Sequence, residues 1–266
     1  MAFAGANAQI FAVMEKTVVD IDGKRHHLGP TGERIYLNTT STLPGPVPAS
    51  WPKIADTAAR ACVSIRPEPV SVVRGHLDDA LVTFLKSAPR HGPPSLLGLW
   101  HEASTMGYPI HPANLRGAQS HIQALAKKHH ANVKVGAIEN ATISADKSRI
   151  WMAKNLDFYC CDIYDDRGCT TVPSAQLDQF HRYCNALMDS RSATIGVTET
   201  NSRCPKRRPY WFTHVWSWLQ SHGFGSDSSS CFLTYWNPSG PESGPWRPDD
   251  RATIDALYGI FEKSSP

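Results

Sequence analysis

Eight times along this chain a short apolar run gives way to a segment whose apolar residues recur at helical spacing. That alternation narrows the fold more than any other feature. Strands that are apolar almost throughout are buried on both faces, and helices between them imply parallel pairing. The strand-like runs cover 3–6, 34–39, 62–66, 95–101, 132–138, 156–164, 193–199 and 230–237. The segments of helical period cover 8–20, 50–61, 76–88, 111–130, 144–155, 174–190, 209–223 and 247–264. Ser50 with Pro52 reads as a helix entry, and Gly223 as a helix exit. Eight such units predict an α/β chain folded as one (β/α)8 TIM barrel over residues 1–266. A doubly wound open sheet is the rival, but "GANAQIFA" lacks the glycine-rich phosphate turn that usually follows its first strand. The Pro/Gly/Ser-rich stretches 43–52, 89–95 and 238–248 are barrel loops on this reading.

Composition serves mainly to exclude. Hydrophobic residues make up 41% of the chain, enough for a full core, and no run approaches the roughly 18 apolar residues of a membrane span. The net charge of +3 comes with no basic stripe. The densest basic run, "CPKRRP" at 204–209, reads as a loop surface because no aromatic residues interleave it, so no nucleic-acid partner is expected. No signal peptide is visible at the N-terminus, which has no basic stretch before its apolar part; the compartment stays open, an extracellular one included. None of the seven cysteines forms a C-x-x-C pair. Cys62, Cys160 and Cys161 read as small buried hydrophobes, while Cys169 and Cys204 lie in loops and are candidates to pair. Asn38 and Asn140 head glycosylation triplets, a pattern frequent by chance.

The chemistry is expected at the carboxyl ends of the strands. "SLLGLWHEAS" runs from a buried strand into His101 and Glu102, and "VTET" ends the seventh strand on Glu199. A barrel brings these ends over one mouth. Two carboxylates facing each other across a cleft are the minimal apparatus for breaking a glycosidic bond, about 5–5.5 Å apart for retention and farther for inversion. Burial beside Trp100 and His101 favours a protonated Glu102. The hydroxyls of Thr198 and Thr200, or Arg66 at the end of the third strand, are placed to keep Glu199 ionised. Glu139, Asp162 and Asp165 are second-choice carboxylates. His129 and His130 point about 100° apart on a helix and read as partners of its C-terminal dipole. His26 and His27 read as loop, and His214 and His222 as outside the barrel. No G-x-S-x-G elbow occurs, and neither metal nor cofactor is required.

These motifs resemble the clan A glycoside hydrolases, whose acid/base glutamate ends strand four and whose nucleophile glutamate ends strand seven. Within the clan, "LWHEA" most resembles glycoside hydrolase family 26, the β-mannanase and endo-glucanase group, in which a histidine precedes the acid/base residue. The resemblance implies a retaining mechanism, with Glu102 as acid/base and Glu199 as nucleophile. It implies a hydrogen bond from His101 near the nucleophile and a tyrosine at the end of strand six, for which Tyr164 is placed. It also implies an aromatic platform on strand eight, for which Trp236 is preferred over Tyr235. The substrate would be a β-linked polysaccharide or oligosaccharide, and the protein a monomer. The segment after Glu102, "ASTMGYP", departs from the family pattern. A barrel that binds carbohydrate or cell-wall polymer without cutting it is therefore the alternative.

Overall fold

The computed structural model describes residues 19–21, 24–26, 32–37, 43–53, 60–92, 94–165, 169–190 and 193–222, and single helical positions between 252 and 259. Strands β1 (Val19–Ile21) and β2 (Lys24–His26) form a two-stranded antiparallel hairpin. The remaining strands are β3 (Gly32–Tyr36), β4 (Arg60–Ile65), β5 (Ser95–Leu99), β6 (Val133–Asn140), β7 (Phe158–Asp165) and β8 (Ile195–Ser202). They pair in chain order, all parallel, in a six-strand half-barrel sheet. A doubly wound sheet reverses strand order at its switch point; this one runs straight through from β3 to β8.

Helices α1 (Pro69–Val73), α2 (Asp78–Lys86), α3 (Pro112–Lys128), α4 (Ala145–Trp151) and α5 (Pro173–Asn185) lie in the connections from β4 to β8, and α6 (Arg208–Ser221) follows β8. Several of their starts follow ordinary capping chemistry. Pro69 and Pro112 sit at helix starts that need no amide donor. Glu68 accepts from the amides of Val70 and Ser71 at 3.1 and 2.6 Å, and the Ser144 hydroxyl caps α4 through the Lys147 amide.

The two faces of the sheet divide by residue parity. Odd-numbered strand residues, among them Val63, Leu97, Val135, Tyr159, Cys161, Ile163 and Val197, pack with helix residues such as Phe84, Ile122, Phe180 and Trp211 in two large clusters. Even-numbered residues Cys62, Leu96, Ile138, Phe158 and Cys160 form a third buried cluster drawn from strands alone. One face thus carries the helices and the other carries strand side chains, as in the interior of a barrel. Gly98 and Gly136 pair in register on the inner face. A Cβ on Gly136 would lie 2.3 Å from the Phe158 carbonyl oxygen and 2.5 Å from its ring, so the phenyl group fills the space a side chain would need.

Several expectations require correction. Val19 and Asp20 are strand, not the end of a helix over 8–20, and His26 lies in β2 rather than a loop. The signal was present: an Asp-Gly pair separates the two runs, a composition favoured in two-residue hairpin connections. Residues 50–53 are not helical and 60–61 already belong to β4, which limits the helix expected over 50–61. The basic run is surface only in part: Pro205 and Lys206 are exposed, but both arginines are engaged. Arg207 donates to Asp165, to the Cys169 carbonyl and to the Thr171 carbonyl, and buried Arg208 donates to the Ser202 carbonyl at 3.0 Å. Cys169 and Cys204 do pair, joining the segments that follow β7 and β8. The strands expected at 3–6 and 230–237, with Tyr235 and Trp236, lie outside the described residues. No helix among the described residues is long and apolar enough to cross a membrane.

Candidate active site

The fourth apolar run stops being a strand at Leu99. Trp100 and Glu102 then take left-handed backbone, with φ of +50° and +52°. Such angles cost non-glycine residues of order 1–3 kcal/mol and persist where the surroundings hold them. Here they are held. The Trp100 indole N–H donates to the Pro67 carbonyl at 2.8 Å, and its ring meets Tyr108 edge-on at 5.0 Å. The Glu102 amide donates to the Ile138 carbonyl of β6 at 2.8 Å. The double left-handed step turns the chain off the strand and leaves the Glu102 carboxyl half-buried, where it accepts from the Asn140 side-chain amide at 3.0 Å.

Parity places the other groups. Arg66, Asn140, Asp162 and Tyr164 continue the inner, even-numbered series. Glu199 is odd-numbered, two positions beyond helix-facing Val197, and regular alternation would turn it toward the helices. A β-bulge prevents this. Cys161 pairs with Val197, but the next residue, Asp162, pairs with Glu199, leaving Thr198 as the extra residue of β8. From there the faces exchange. Glu199 shares the inner face with Asp162, while Thr200 pairs with helix-facing Ile163 and takes a 2.8 Å hydrogen bond from the Trp211 indole. Thr198 donates to buried Asp162 at 2.6 Å and so fastens the bulge. The two threonine hydroxyls therefore serve Asp162 and Trp211, correcting the expectation that they hold Glu199. The Tyr164 hydroxyl donates to the Glu199 carboxylate.

His101 is buried, edge-on to Tyr36 at 4.9 Å, with its Nε2 3.5 Å from an Arg66 guanidinium nitrogen. A guanidinium only donates, so Nε2 accepts and a neutral ring carries its proton on Nδ1. The Arg66 guanidinium lies 4.5 Å from the centroid of the Tyr108 ring. Burial lowers the pKa of Arg66 and pushes Tyr108 up to about 12; Arg66 opposes the rise at Tyr108, while Glu102 and Glu139 add to it.

Glu139 is odd-numbered and lies on the helix side of β6, 2% exposed. Its carboxyl accepts the Ser104 hydroxyl at 2.7 Å and the Ser104 amide at 3.2 Å, tying the Glu102 turn down from below. Burial, with Glu102 and Asp162 adding to it, raises its pKa to about 8 against the opposing pull of the Ser104 hydrogen bonds. It is a neutral support at pH 7. Asp165 is likewise helix-side, bound to Ser202 at 3.0 Å and Arg207 at 3.3 Å. His129 caps the end of α3, whereas His214 bonds within α6 and His222 stacks on Trp218 at its end. In the sequence Asn140 stands out only as the head of a glycosylation triplet. Its amide is instead engaged with Glu102 and Thr142. Ser104 and Tyr108 carry no sequence motif.

No family model matches the chain, and no curated protein matches it.

Proposed function

We propose that the chain is a retaining glycoside hydrolase of the (β/α)8 type, acting on a β-linked polysaccharide, with Glu199 as nucleophile and Glu102 as acid/base. The observation that carries this reading is the bulge at Thr198. It turns Glu199 onto the inner face beside Asp162 and Tyr164, toward the side on which Asn140 holds Glu102. In the first step a Glu199 oxygen attacks the anomeric carbon, the glycosidic C–O bond breaks, and Glu102 gives its proton to the departing oxygen. In the second, the Glu102 carboxylate takes a proton from water. The water oxygen bonds to the anomeric carbon and the ester to Glu199 breaks. The Tyr164 hydroxyl favours the ionised nucleophile by donating to it. The Cys169–Cys204 bridge suits a compartment where thiols oxidise.

The test is hydrolysis of a panel of β-glucans, β-mannans and β-xylans by the wild type, Glu102→Gln and Glu199→Gln. Glu199→Gln is expected to lose activity with its circular dichroism and melting unchanged. Mass spectrometry during turnover should detect a glycosyl adduct on Glu199. Full turnover by Glu199→Gln overturns the assignment. Glycan binding without cleavage anywhere on the panel replaces hydrolysis with the carbohydrate-binding reading.

A further inference from the structure

We propose that Asn140 is the positioning residue that decides which oxygen of Glu102 carries the proton. The inference rests on Glu102 being the acid/base group proposed above. Asn140 ends β6 on the inner face. Its Oδ1 accepts from the Thr142 backbone amide at 3.0 Å and from the Thr142 hydroxyl at 2.7 Å. A backbone N–H can only donate, so the side-chain amide cannot be turned round without setting one donor against another. Its NH2 group therefore faces Glu102 and donates to Oε1 at 3.0 Å.

An oxygen that accepts an N–H while the acid is neutral is its carbonyl oxygen. The proton of Glu102 thus sits on Oε2, both when it is given to the leaving oxygen and when it is regained from water. The device does not belong to the strand that carries Glu102. Three successive residues of β6 hold the turn: the Ile138 carbonyl takes the Glu102 amide, Glu139 takes Ser104, and Asn140 takes the carboxyl. The backbone of Glu102 is fixed by the first two, so the third sets only the rotation of its carboxyl group.

The test uses the full chain labelled with carboxyl-13C glutamate, the Glu102 resonance being assigned with E102Q. Titration by NMR compares the wild type with N140A and N140D. N140D keeps an acceptor for Thr142 but sets a carboxylate against Glu102, and should raise its midpoint by about one unit or more. N140A removes the donor and should raise it by less. On any glycan that is cleaved, the basic limb of kcat/KM should move up by the same steps, and N140A should lower kcat about tenfold with KM little changed. An unmoved Glu102 midpoint in folded N140D overturns the proposal. Midpoints that move in a protein that cleaves no glycan uphold the positioning role and overturn the hydrolase reading instead.

Discussion

At the scale of the residue, the proposed nucleophile Glu199 accepts a hydrogen bond from the Tyr164 hydroxyl. Hydrogen bonds to charged groups contribute about 1.5–3 kcal/mol. Tyr164→Phe should therefore lower kcat/KM by about 10- to 100-fold. The sign of its pH effect also follows. Losing a donor disfavours the carboxylate, so the acidic limb of kcat/KM should move to higher pH, measured on whichever glycan the wild type cleaves. The sequence offers His101, Glu102 and Glu199 as candidates because each lies at or beside the end of an apolar run, and Tyr164 through the family resemblance. Asn140, Ser104 and Tyr108 are not legible there, because their roles come from contacts across strands and turns. A triplet or a serine in a turn says nothing of what a neighbouring strand will set against it.

At the scale of the element, parity and the bulge organise the site. Periodicity revealed the strands, yet it placed the end of β8 at Glu199, although the strand continues to Ser202. A bulge adds one residue without altering composition, so nothing in "VTET" announced that the facing would change. Thr198→Val should destabilise the fold by about 1–3 kcal/mol, because it leaves a buried Asp162 oxygen short of its donor. Denaturant unfolding measures this. The inner glycines give a paired comparison. Gly136→Ala sets a methyl against the Phe158 backbone and ring, whereas Gly98→Ala meets side chains, the Ile138 Cδ1 at 2.5 Å and Cγ1 at 3.0 Å. Both overpack, at about 1–3 kcal/mol or more, and Gly136→Ala should cost the most because backbone yields least.

For the whole molecule, the described sheet reproduces the parallel α/β order read from the alternation, and its single direction of winding goes beyond what composition alone conveys. The short helix α1 is too brief to express a period, and the three-residue strands of the hairpin at 19–26 leave the Asp-Gly pair as their one sequence mark. Buried Glu139 ties global stability to pH. Its folded pKa of about 8 exceeds the ordinary carboxyl value of 4.5, so the native state holds a proton that the unfolded chain releases. Its contribution is complete below about pH 4.5 and is lost as pH rises through about 8. Glu139→Gln keeps an acceptor for Ser104 and cannot ionise. Its melting temperature should gain on the wild type steadily from pH 5 to pH 8, as read by calorimetry. The odd-and-even division of the strands also sorts the chain by how freely it can change. Positions 66, 140 and 164 point away from the helices, so replacing them leaves the seating of the helices alone, whereas Asp162 faces the same way but also holds the bulge through Thr198, so change there reaches the fold itself.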